Sequence, residues 1–173
     1  MNDVESIYRT FVQFEERAAA IYLQLASRFS QDPQLSSFWL DMAMHEKQHA
    51  GLLQFCVCEH LFAKDLPSPS EIDVLEADFQ RLEKRAADPN LTSPEAFALA
   101  VEMEASEINA IYCYLTTSVH NSMYLLRRKI STLVPAHVDE LIAAAGKFGI
   151  TQDLLHKLNQ SKDRCSERWQ RPA

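Results

Sequence analysis

The chain has 173 residues, a formal net charge of -7 and only three glycines. That length suits one domain with a proper hydrophobic core, and the acidic balance excludes the basic field that nucleic acid or an anionic membrane surface would need. No run of about 18 apolar residues offers a transmembrane span, and scarce glycine favours long helices over a sheet with many tight turns.

A first helix is predicted over 3–30, stopped by Gln31-Asp32-Pro33, because proline disfavours helical geometry in the residue before it. A second is predicted over 34–64, ending before Pro67-Ser68-Pro69. A shorter charged helix follows over 70–87, with Ser70 as its cap and Asp73 three residues on. Asp88-Pro89-Asn90 breaks it. Ser93-Pro94-Glu95 then starts the third long helix, a capping serine with proline at the first helical position, expected to reach 118. A connecting segment covers 120–129. A fourth helix is expected over 130–148, with Pro135 as a kink or a start, and Gly146 and Gly149 favour its stop. A terminal helix is expected over 151–169. The fold class is therefore all-α. Residues 1–150 form a four-helix bundle whose long crossover contains a short helix, and 151–173 a C-terminal helix and tail.

Four cysteines occur, at Cys56, Cys58, Cys113 and Cys165, with no Cys-x-x-Cys pair to build a zinc knuckle or rubredoxin-type iron site. They read as free thiols in a reducing compartment. Cys56 and Cys58, two apart, point to different faces of a helix. The opening MNDVESIYRTF is acidic and amphipathic, so no signal peptide is expected and the cytoplasm is the expected compartment.

The informative residues are polar ones on apolar seams. Steps of three and four along helix one give Tyr8, Phe11, Glu15, Ala18, Tyr22, Leu25 and Phe29. Along helix two they give Leu35, Trp39, Met42, Glu46, His49, Leu53, Cys56 and His60. Helix three gives Phe97, Val101, Glu104, Ile108, Ile111 and Leu115, and helix four gives Ile130, Val134, His137, Leu141, Ala144 and Phe148. Each seam carries an ionisable group at its centre. Taken singly, Glu15 reads as a boundary residue and His49 or His137 as a hydrogen-bonded core histidine. Jointly they need a common cause, because an isolated buried charge costs several kcal/mol. A shared metal ion is the economical one. Glu46 and His49, three apart, lie one turn apart on one face, as in two-metal bundles that combine single glutamates with Glu-x-x-His pairs. Carboxylates neutralise the cation, and a neutral imidazole suits iron without adding charge. His45, His60, His120 and His156 have no partner at useful spacing. Tyr22 and Tyr112 are placed to hydrogen-bond a ligand carboxylate or to act as plain core aromatics.

MHEKQHAGLL, FEERAAAIYLQLA and VEMEASEINAIY resemble the ligand-bearing helices of the rubrerythrins and ferritins, and the resemblance covers most of residues 5–149. It implies a ferritin-like bundle in which Glu15, Glu46 and His49 hold one ion, and Glu104 and His137 a second. Iron is the implied metal, with manganese or zinc as alternatives. Val134 stands where the family has its second bridging glutamate, so weak or single-ion occupancy is expected, with Glu107 and Glu140 as candidate substitutes. The implied function is a peroxidase- or ferroxidase-type oxidoreductase reacting with peroxide or dioxygen. No rubredoxin segment is recognisable in these residues, so an electron-donor protein is implied, and a homo-oligomer, a dimer, is expected. Val134 favours the alternative, a non-catalytic ferritin-like module for oligomerisation or partner binding. No catalytic nucleophile–base pair is recognisable.

Overall fold

The computed structural model describes residues 3–63, 66–106, 138–144, 147, 151–153 and 155–160, and among these every regular element is a helix, with no strand. Four helices carry the described fold: α1 (Asp3–Arg28), α2 (Pro33–Cys58), α3 (Pro69–Ala86) and α4 (Ser93–Glu104). No described helix is long and apolar enough to cross a membrane.

The turn between α1 and α2 is set by Asp32, whose side chain accepts from the backbone N–H of Gln34 at 3.0 Å and Leu35 at 3.1 Å. Pro33 follows at the first helical position, where its missing N–H is harmless. The chain doubles back, so α2 lies antiparallel along α1. The Ser36 hydroxyl donates to the Ala26 carbonyl at 2.9 Å, Lys47 pairs with Glu16, and the Ala63 N–H donates to the Tyr8 hydroxyl. These three ties are spread along the length of the hairpin.

α2 ends at Cys58, six residues short of the expected 64. The local reason is an αL cap at His60, with φ 53°, and a bond from the Leu61 N–H back to the Cys56 carbonyl. Histidine adopts this conformation less readily than glycine, so nothing in the residue types announces it. His60 is accordingly exposed rather than on the buried seam.

α3 begins one turn-residue earlier than expected, because Ser68 and not Ser70 is its cap. The Glu71 N–H reaches the Ser68 hydroxyl, and the Glu71 carboxylate accepts from the Ser68 N–H at 2.7 Å, a reciprocal box with Pro69 at N1. α3 lies along α1 and buries Leu75, Phe79 and Leu82. Phe79 stacks on Phe14, with centroids 5.1 Å apart and planes 6° from parallel. Over that pair lies the Arg17 guanidinium, 5.0 Å from the Phe79 centroid, while it also pairs with Glu76 at 2.6 Å and Glu83 at 2.7 Å. Further along, Arg28 donates to the carbonyls of Ala86 and Asp88.

Thr92, not Ser93, caps α4, with the Glu95 carboxylate accepting from both its N–H and its hydroxyl. Phe97 of α4 packs on Phe38 and Trp39 of α2, and Trp39 stacks in turn on Tyr22 of α1. α4 is helical to Glu104, then turns at Ala105, short of the expected 118. The Ser106 hydroxyl takes the Met103 carbonyl at 2.6 Å, an end-of-helix acceptor, and serine competes with the backbone in this way. Residues 107–137, which hold the rest of that expected helix and the start of the next, lie outside the described residues. Helical turns at 138–144 add Val138, Leu141 and Ala144 to the core, and Leu158 joins from the 155–160 stretch.

Candidate metal centre

The expected seams on α1 and α2 are buried from Tyr8 to Leu25 and from Leu35 to Cys56, and the polar groups are buried with them. Glu15, Glu46, His49 and Glu104 are between 1 % and 3 % exposed. α1 presents Glu15 between the turns of Phe11 and Ala18. α2 presents Glu46 and His49 between Met42 and Leu53, and α4 presents Glu104 at its last turn. Helical spacing alone accounts for each placement, since positions three and four apart share a face.

His49 Nδ1 lies 3.1 Å from Glu46 Oε2 and 3.6 Å from Glu15 Oε2. One ligand atom from each of Glu15, Glu46 and His49 can be chosen so that all three lie within 4.8 Å of one another, close enough to share an ion. Glu104 stands beside this trio rather than in it. Its Oε1 accepts a 2.6 Å hydrogen bond from the buried Tyr22 hydroxyl, which fixes the carboxylate from the α1 side. Tyr22 is thus at once a core aromatic, stacked on Trp39, and a donor to a buried carboxylate.

Three carboxylates around one histidine in an apolar interior repel one another. Burial is the largest influence on Glu46 and pushes its carboxyl up to about 8. His49 opposes the shift, while Glu104 and Glu15 add to it. Burial and the same carboxylates hold the Tyr22 phenol well above its ordinary value, so it remains a neutral donor. Glu46 Oε1 is buried and accepts no hydrogen bond among the described residues. A buried carboxylate oxygen without a donor is costly, and a cation is a fitting partner for it. The donor set, two carboxylates and one imidazole, suits iron, manganese or zinc. The residues present therefore fit a metal ion, whose identity the donor set leaves open.

The remaining sequence candidates fall elsewhere. His137, Glu107, Val134 and Tyr112 lie outside the described residues, as do His120, Cys113 and Cys165. Glu140 is not a substitute ligand at this centre: its side chain is half exposed, and its Oε2 lies 3.9 Å from Nδ1 of His45. Asp139 beside it is exposed as well, while Val138 and Leu141 on either side are buried. His45 does have a partner after all, but one contributed by a distant segment, which local spacing does not reveal. His156 likewise has a neighbour, Gln160, at 2.8 Å. Cys56 is buried and Cys58 exposed, as their spacing predicts, and burial pushes the Cys56 thiol up to about 11, which keeps it unreactive.

No protein-family model, curated protein or solved structure matches this chain. The reading of the centre therefore rests on its own geometry.

Proposed function

We propose that the chain is a ferritin-like four-helix bundle that binds a redox-active metal through Glu15, Glu46 and His49 and works as a rubrerythrin-like non-haem iron oxidoreductase of peroxidase or ferroxidase type. One observation carries the reading: two carboxylates and an imidazole from two helices converge, almost fully buried, with ligand atoms within 4.8 Å of one another. The course of the chain supports the bundle. Phe97 meets Trp39, and Glu104 acts on Glu46, so α4 follows the direction of α2, which a long connection carrying α3 permits.

Glu15 and Glu46 would supply anionic oxygens and His49 a neutral nitrogen, with Tyr22 orienting Glu104 alongside. His137 and Glu107 are the sequence candidates for a second ion, and Val134 removes a carboxylate that position would need. Bound iron supplies one-electron redox chemistry toward the O–O bond of peroxide or dioxygen. The surrounding apolar side chains of Phe11, Met42 and Leu53 exclude bulk water, and Glu46 would give up its proton as a cation binds. Electrons would come from a partner protein.

A second reading, a polar core network in a non-catalytic module, is favoured by the close approach of His49 to Glu46, which lets the ionisable groups satisfy one another without an ion. Metal analysis after anaerobic loading with ferrous iron separates the two. The expected result is about one ion per chain, lost in Glu46→Ala and His49→Ala, with Val134→Glu moving the ratio toward two and raising peroxide consumption. A folded wild-type protein that retains no metal and shows no ferrous oxidation supports the network instead.

A further inference from the structure

α3 and α4 each turn one stripe toward a shared cleft. On α3 the stripe is Asp78, Arg81, Leu82 and Arg85, and on α4 it is Ala98, Val101, Glu102 and Ala105. Both sets follow the same offsets of three, four and seven, which keep to one helical face. Ser106 and, from the 155–160 stretch, Lys157 complete the lining. The cleft has a volume of about 540 Å³, within the range of small-molecule sites. Its floor is apolar: Leu82 and Val101 belong to the core, with Ala98 and Ala105 half-buried beside them.

The rim is charged, and its charges do not cancel. Arg81 pairs with Asp78 at 3.0 Å, and Arg81 and Arg85 both pair with the single carboxylate of Glu102. Lys157 has no ion-pair partner among the described residues, and the Arg85 guanidinium makes no hydrogen bond there besides the one to Glu102. Three cations therefore meet two carboxylates, an excess of one positive charge in a chain whose formal net charge is -7. Glu104, two residues from Glu102, faces the opposite side of α4, so this cleft is separate from the buried centre of Glu15, Glu46 and His49.

We propose that this cleft binds a small organic monocarboxylate with an apolar body. The carboxylate pairs with Lys157 and with the edge of Arg85 that Glu102 leaves open, and the body lies on Leu82, Ala98, Val101 and Ala105. The planar fork of a guanidinium matches a carboxylate through two parallel bonds, and Glu102 already draws both arginines together in the cleft. An excess of one positive charge suits a monoanion better than a phosphate dianion. The apolar floor favours a ligand that carries hydrocarbon to cover it. The last carbonyls of α4, at Ala105 and Ser106, repel an anion, which directs the charged end to the cations and the apolar end to Ala105. None of this depends on a metal at the buried centre.

Isothermal titration calorimetry of the full chain with decanoate, kept below its micelle-forming concentration, tests this. One saturable site is expected, with a dissociation constant on the order of 100 µM. Acetate and inorganic phosphate lack the apolar body, and decyltrimethylammonium inverts the charge. Each should bind at least about tenfold more weakly than decanoate. Arg85→Gln should weaken decanoate binding about tenfold and Lys157→Gln about threefold. Ala98→Glu sets a carboxylate and its stem in the cleft and should abolish binding, with helix content by circular dichroism unchanged in all three variants. No saturable decanoate binding at millimolar concentration overturns the proposal, as does an affinity that all three variants leave unchanged. Decyltrimethylammonium binding as tightly as decanoate means adhesion to apolar surface alone and overturns it as well. Phosphate binding as tightly overturns the assigned ligand class.

Discussion

Replacing Glu46 by glutamine separates a buried carboxylate that keeps its proton from one that must ionise. Burial moves this carboxyl from 4.5 to about 8 in the folded chain. Between those two values the folded state holds a proton that the unfolded state has released, so metal-free stability falls as pH rises, and it levels off above about 8. The contribution is fully present below 4.5 and lost through 8. At about 1.4 kcal/mol per pH unit the ceiling is about 5 kcal/mol. Relaxation of the core and entry of water reduce it, and 2 to 3 kcal/mol is a realistic expectation, still a large fraction of a domain's stability of about 5–15 kcal/mol. Glutamine has nearly the same shape and no proton to lose. With a chelator present, Glu46→Gln should lie within about 1 kcal/mol of wild type at about pH 5 and exceed it by about 2–3 kcal/mol at about pH 9. Urea unfolding followed by circular dichroism across that range measures both. Adding ferrous or zinc ion should flatten the wild-type slope, because the cation takes the place of the proton, and leave the variant's unchanged. Parallel pH profiles for the two chelated proteins would refute the assignment of a protonated, buried Glu46.

Tyr22→Phe deletes the phenol that donates to the buried Glu104 and should cost about 1.5–3 kcal/mol at pH 7, measured by the same unfolding curves. Arg17→Met keeps some of the stem that covers Phe14 and Phe79 but removes the two half-exposed ion pairs to α3. About 1 kcal/mol is expected in low salt and much less in 1 M salt, since such pairs are screened. Asp32→Ala removes the cap that serves two backbone donors at the start of α2 and should cost about 1 kcal/mol, with little effect on metal retention. A cost above about 3 kcal/mol would mean that the turn does more than end one helix and begin another.

Periodicity and residue type were enough to make every described element a helix and to name the buried seams. Tyr8, Phe11, Tyr22, Trp39, Leu53 and Phe97 are all core, because one helix turns every 3.6 residues whatever surrounds it. The same rule placed Glu15, Glu46, His49 and Glu104 in the interior, since a seam position is buried regardless of its polarity. Helix ends were less legible. Ser68 and Thr92 cap where Ser70 and Ser93 were equally plausible from local sequence, and His60 closes α2 in a conformation usually left to glycine. Which hydroxyl caps depends on where the incoming chain lets the first turn begin, and the packing of neighbouring helices decides that. Distance between polar groups was likewise a tertiary matter. Spacing along one helix put Glu46 and His49 together, but only the packing of α1 along α2 brings Glu15 to 3.6 Å from His49, and only the approach of α4 brings Glu104 to the Tyr22 hydroxyl. Glu140 shows the converse: a candidate substitute ligand by its spacing in the sequence, it is half exposed and lies near His45 on another helix. A helix fixes which side chains share its own face, while the relative placement of faces comes from how the apolar seams interlock.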